Sequence, residues 1–106
     1  MKKTLLRPEI LDGVVERFAA AADPSRIRLL LRLREDEANV ATLSKELGIR
    51  QASVSKHLSV LRRVGLVEAR QVGNKAIYMI RDDSVFEMCK IVCNGVLRQR
   101  GRSRRS

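Results

Sequence analysis

The sequence predicts a mainly α fold of five helices with one small β-hairpin, and three patterns carry that expectation. Apolar residues recur at steps of three and four in five separate segments, as they do in helices that bury one face. Between 66 and 80 the period becomes strand-like on either side of Gly73-Asn74, a pair suited to a two-residue hairpin turn. Pro8 and Pro24 stand where helices open, and Gly48 and Gly65 stand where they close. At 106 residues the chain fits one domain whose core is modest for its surface, so pairing with a second copy would stabilise it.

Taken in order, the first helix opens at Pro8 and carries Leu11, Val14, Val15, Phe18, Ala19 and Ala22 along one side. Asp23 is a good N-cap and Pro24 a good first residue for the second helix, which turns Ile27, Leu30 and Leu31 inward and ends in the charged run Arg34 to Glu37. Asn39 to Leu47 forms a short third helix with Val40, Leu43 and Leu47 inward, closed by Gly48. Val54, Leu58 and Leu61 make the buried stripe of the fourth, which Gly65 closes. Leu66 to Val72 and Ala76 to Ile80 are the hairpin strands. Asp82 and Asp83 offer caps to the last helix, whose stripe Val85, Met88, Cys89, Val92, Cys93 and Val96 is joined by a second apolar side of Phe86, Ile91 and Leu97. A terminal helix apolar on two sides needs two neighbours, and a second protomer can be one of them. Residues 1–97 are therefore one folded unit, and 98–106 a basic, disordered tail.

Two helices joined by a tight turn at Gly48 make a helix-turn-helix, the second helix of which can enter a DNA major groove. The outer face of that helix is suited to the task. Ala52, Ser55, Lys56, Ser59 and Arg63 gather there, and no acidic residue occurs from Arg50 to Arg63. Short serines let a helix approach closely, while Gln and Lys reach base edges or phosphates. The expected groove contacts are Gln51, Ser53, Ser55 and Lys56, with Arg50 and His57 beside them. A hairpin next to such a helix is a wing, and its basic, polar tip of Arg70, Gln71, Asn74 and Lys75 would touch the flanking backbone. An ordinary helical hairpin and a plain solvated β-hairpin remain the structural alternatives.

Charge distribution agrees with an anionic partner. The formal charge is +10; residues 1–49 hold 9 Lys+Arg against 8 Asp+Glu, residues 50–106 hold 13 against 4. Only Phe18, Tyr78 and Phe86 are aromatic, too few for binding single strands by base stacking. No run of residues is long and apolar enough for a membrane span, and no secretory signal is visible, so a cytoplasmic protein with reduced thiols is expected. No nucleophile-base pair, phosphate loop or metal cluster can be assembled, so neither an enzyme nor a cofactor is expected.

In this order of elements, Ala22-Asp23-Pro24-Ser25-Arg26-Ile27-Arg28-Leu29-Leu30, Ser53-Val54-Ser55-Lys56-His57-Leu58 with Leu61, Gly65-Leu66-Val67 and Tyr78 together resemble the ArsR/SmtB family of winged helix-turn-helix repressors. The resemblance covers residues 10–97. It implies a homodimer joined through the first and last helices, bound to a partly palindromic double-stranded operator until an effector releases it. It also implies where metal could bind in such proteins. One family site needs cysteines at the start of the third helix, and 39–44 holds no Cys or His; the other would use Asp82, but Ser84, Gly95 and Arg98 replace its remaining ligands.

Cys89 and Cys93 lie one helical turn apart, so both thiols face one way. They could ligate a soft metal, be oxidised or be persulfidated, and on these routes the protein would be a thiol or soft-metal sensor. They could equally be small buried hydrophobes in an apolar stripe, which is the preferred reading. His57, the only histidine, suits a scaffold or phosphate hydrogen bond. The arginines at 98, 100, 102, 104 and 105 either solubilise the tail or follow the DNA backbone. Use of the winged helix for protein contacts alone would leave the acid-free face unexplained.

Overall fold

Capping residues and prolines fix where several helices of this chain begin. The computed structural model describes the backbone of residues 1–105 and the side chains of residues 1–102. Helix α1 (Lys2–Leu5) is followed by α2 (Pro8–Ala21), α3 (Pro24–Glu35), α4 (Val40–Leu47), α5 (Gln51–Arg63), strands β1 (Val67–Val72) and β2 (Lys75–Ile80), and α6 (Ser84–Arg105). Six helices are present where periodicity predicts five. The additional one, α1, is a single turn, too short to leave an apolar repeat in the sequence.

Pro8 and Pro24 sit in the first turns of α2 and α3, where the missing N–H costs no helical bond. Asp23 accepts the N–H of Arg26 at 3.1 Å, and Asn39 accepts that of Thr42 at 2.8 Å, so α3 and α4 each have a capped N-terminus. Gly48 ends α4 with φ of 66°, in the left-handed region that a side chain would strain. Gly65 ends α5 in a Schellman turn, the N–H of Leu66 donating to Leu61 and that of Gly65 to Arg62, both at 3.0 Å.

Strands β1 and β2 are antiparallel, with Val67 opposite Ile80 and Val72 opposite Lys75 across Gly73-Asn74. Tyr78 and Ala38 exchange backbone bonds of 3.1 and 2.9 Å, so the segment between α3 and α4 pairs with the outer edge of β2. The wing is thereby fixed to the loop preceding the helix-turn-helix.

The core lies where α3, α4 and α5 meet the hairpin. Leu29, Leu30, Leu43, Val54, Leu58, Leu61, Leu66 and Val67 are fully buried there. Among the described residues, no buried polar or charged one is found. Leu31 departs from expectation. It is exposed, because the buried side of α3 is set by Leu29, Leu30 and Leu33, and Leu31 points a quarter-turn or more away from their centre.

Helix α6 enters the core only at its start, through Val85 and Phe86, with the Arg34 guanidinium 4.7 Å over the Phe86 ring. Met88 and Cys89 are half-buried; Ile91, Val92, Val96 and Leu97 are exposed in the single chain. The backbone continues as helix through the basic segment to Arg105, with no break at 97, where the sequence reading placed the start of a disordered tail. The side chains of Arg104 and Arg105 lie outside the described residues.

Candidate nucleic-acid interface

The core contacts of α5 decide which of its side chains remain outside. With Val54, Leu58 and Leu61 fully buried, Ala52, Ser55, Lys56, Ser59, Arg62 and Arg63 are exposed, and Ser53 and His57 lie half-buried at one edge. Gln51 is exposed at the first turn. Arg50 is the N-cap and makes no side-chain cap bond, so the first amides of α5 remain open to an anion and the positive end of the helix dipole reinforces them. An exposed, acid-free face thus stands on α5, held by α4 through the turn at Gly48.

The structure separates the four wing residues that the sequence groups together. Asn74 and Lys75 are exposed at the turn and make no side-chain hydrogen bond or ion pair among the described residues. Gln71 folds back, its amide donating to the carbonyl of Gly73 at 3.3 Å. Arg70 lies further down β1, opposite Ile77, and grips the Glu37 carboxylate with both terminal nitrogens, Nη1 donating to Oε2 at 2.7 Å and Nη2 to Oε1. This hydrogen bonding holds the Glu37 carboxyl below its ordinary range. Arg70 is therefore neutralised in this arrangement, whereas Lys75 presents an uncompensated charge at the tip. Glu37 was not legible as its partner, because a separation of 33 residues leaves no local spacing signal.

His57 is tied to the scaffold. Its Nδ1 lies 3.3 Å from Nη1 of Arg26, a residue that the sequence marks only as part of the second helix. At the C-terminal end of α5, Arg17 reaches across from α2 to Asp82 and passes over Gly65, with Arg62, Arg63 and Arg81 around it. The Asp82 carboxyl is held below its ordinary value chiefly by the Ser84 hydroxyl, then by the Ser84 N–H and by Arg17.

Cys89 and Cys93 share a cleft of about 740 Å³ between α2, α3 and α6, lined also by Phe18, Ile27, Leu31, Phe86 and Val92. Cys89 is half-buried and Cys93 exposed in the single chain, so the stripe they belong to is uncovered in its second half. Among the described residues no three His, Cys, Asp or Glu side chains are grouped to hold a metal ion. No described helix is long and apolar enough to cross a membrane.

A helix-turn-helix joined to a hairpin fixed at its edge, with a basic, acid-free second helix, defines a winged helix-turn-helix DNA-binding regulator. Comparisons with known proteins agree. Residues 23–69 match the model of the bacterial regulatory protein arsR family. The chain is 32% identical over 94 residues to the transcriptional repressor SmtB homolog of Synechocystis, covering 84% of this chain and 71% of that one. It is 38% identical over 77 residues to a probable mercury resistance operon repressor of Streptomyces lividans, covering 73% of this chain and 62% of that one. Its fold is similar to the homodimeric winged helix-turn-helix DNA-binding domain of a possible ArsR-family transcriptional regulator from Mycobacterium bovis, with TM-score 0.77, 28% identity and coverage of 86% and 87%. The chain belongs to the ArsR family of bacterial transcriptional regulators.

Proposed function

We propose that this chain is a homodimeric, cytoplasmic repressor that reads a partly palindromic double-stranded operator with its two α5 helices and leaves it when an effector acts. The acid-free face of α5 carries the reading: an exposed helix of Gln, Ser, Lys and Arg has charge and reach for a major groove. Gln51, Ser53, Ser55 and Lys56 contact the groove, Arg50 and His57 its flanks, and Asn74 and Lys75 the adjoining backbone. Arg70 and Gln71 support the wing. The half-sites lie about one helical turn, roughly 34 to 36 Å, apart. Dimerisation uses α2 and α6, whose exposed Leu11, Val15, Phe18, Ile91, Val92, Val96 and Leu97 require cover.

The test is selection from a random duplex pool, followed by sedimentation of the complex. A palindrome bound by two chains is expected. A stable monomer at micromolar concentration, or no enriched sequence, would overturn the reading.

A second reading concerns the effector, and one observation favours it: Cys93 is exposed beside Cys89 in a single cleft. On that reading a thiophilic metal ion, an oxidant or a persulfide acts on the pair and alters the dimer. Packing of both thiols beneath the partner chain remains the preferred role, because they continue the uncovered apolar stripe of α6.

A further inference from the structure

Arg26 joins three parts of the molecule. Its backbone N–H donates to Asp23 Oδ2 at 3.1 Å. Its Nε donates to the carbonyl of Ala20 at 2.5 Å and its Nη2 to that of Ala19 at 3.3 Å. Both carbonyls belong to the last turn of α2: that of Ala20 has no helical donor because the residue four on is Pro24, and that of Ala19 also accepts the N–H of Ala22 at 3.2 Å. The remaining nitrogen, Nη1, lies 3.3 Å from Nδ1 of His57 on α5.

A guanidinium has donors only, so Nδ1 must supply its lone pair and the proton of the neutral ring sits on Nε2. Nε2 makes no hydrogen bond among the described residues, and no buried side-chain nitrogen or oxygen there lacks a partner. The Nε2–H therefore reaches the surface of α5. It does so one turn from Ser53 and next to Lys56, on the edge of the acid-free face.

We propose that Arg26 is a positioning residue for DNA binding: it holds His57 as a fixed Nε2–H donor to a backbone phosphate and anchors that donor to the C-terminal end of α2. This rests on the reading of α5 as the recognition helix. A donor locked in one tautomer and one ring orientation needs no rearrangement when the phosphate arrives, and the low cost of ordering it appears as affinity. The same guanidinium joins the helix assigned to dimer pairing to the helix assigned to DNA.

The experiment uses the full chain and a duplex of arbitrary sequence about three helical turns long, because a phosphate contact carries no sequence information. His57 is the only histidine, so long-range proton–nitrogen spectra report its tautomer without ambiguity. The wild type is expected to show the Nε2–H form alone. Arg26→Gln should give a tautomer mixture and bind the duplex about a hundredfold more weakly, about tenfold for each of the two contacts in a dimer, the scale of a hydrogen bond to a charged group. His57→Asn places its amide where Nδ1 was; it should keep the Arg26 contact and the melting temperature yet show the same loss. His57→Gln places its amide where Nε2 was, should stay within about threefold of the wild type, and should not respond further to Arg26→Gln.

A tautomer mixture in the wild type, or an Arg26→Gln variant that melts lower but keeps tautomer and affinity, overturns the proposal. So does His57→Asn binding as tightly as the wild type. Failure of the underlying reading looks different: Lys56→Ala would then leave duplex binding untouched while the His57 tautomer remained locked.

Discussion

Replacing Lys75 and Arg70 separately by alanine tests whether charge on the wing acts through DNA or through the scaffold. Both are exposed cations on the hairpin and look equivalent in the sequence. In the structure Arg70 is neutralised by a two-pronged bond to Glu37, while Lys75 has no ion partner among the described residues. Each phosphate neutralised contributes about 0.9 to the slope of log affinity against log salt. A dimer carries two copies of Lys75, so Lys75→Ala should lower the slope by about 1.8, nearly two counterions. Between 50 and 200 mM salt, wild-type affinity should then fall about twelvefold more than that of the variant. Arg70→Ala should leave the slope within about half a unit of wild type, because the charge it removes is already balanced. Fluorescence anisotropy on one duplex across a salt series measures both. Equal flattening by the two variants would show that the Glu37 pair opens on DNA, and the distinction drawn between them would be refuted.

Gln51→Ala should blur base preference at a cost of about 1 to 3 kcal/mol if its contact is bidentate, measured as the ratio of operator to random-duplex affinity; equal loss on both duplexes refutes a base contact. Leu58→Ala removes a fully buried side chain at the centre of the core and should cost about 2 to 5 kcal/mol in denaturant unfolding; a smaller loss would mean that the site collapses. The Asp82 carboxyl is held below its ordinary value of 3.8, so the stabilisation it gives is complete above that value and is lost as pH falls through its folded value. Thermal melts of wild type and Asp82→Asn should therefore differ near pH 7 and converge toward about pH 2, and a constant gap would contradict the assignment. Replacing Cys89 and Cys93 together by alanine should lower stability yet leave operator release unchanged by oxidant, persulfide or soft metal; release by any of these in wild type alone would make the pair a sensor.

Those features of the fold that depend on neighbouring residues were legible. Asp23, Pro24, Asn39, Gly48 and Gly65 act within a turn of where they stand, so the sequence placed the helix-turn-helix and the hairpin with errors of a residue or so. Leu31 was misread because Leu29-Leu30-Leu31 is a continuous apolar run, on which a 3.6-residue period does not choose a single inward side. In the candidate interface, the exposure of Gln51, Ser55 and Lys56 followed from the stripe opposite them. Partners were not legible: Arg26 lies 31 residues from His57, and Glu37 lies 33 from Arg70. Only the closed fold brings such pairs together, and nothing in their types distinguishes them from the other arginines and carboxylates of a highly charged chain.

The distribution of buried residues separates the part that reads DNA from the part that pairs. The core formed by α3, α4, α5 and the hairpin is closed within one chain, its leucines and valines fully buried. The apolar stripe of α6 leaves that core after Cys89, with Ile91 68% exposed on α6 and Phe18 54% exposed on α2. Standard interfaces cover about 800 Å² on each partner, and a stripe along two helices is of the kind that supplies such an area. Changes confined to the stripe can therefore alter how two chains sit together without unfolding the reading head. Arg26 on α3, bonded to the carbonyls at the end of α2 and to His57 on α5, is a polar link between the two parts, while Arg17 reaches from α2 to Asp82 ahead of α6 and passes over Gly65 at the end of α5. A rearrangement of the dimer that moves the end of α2 would reach the middle of α5 through Arg26, and a change in the tilt of α5 shifts the spacing of the half-sites it can bind.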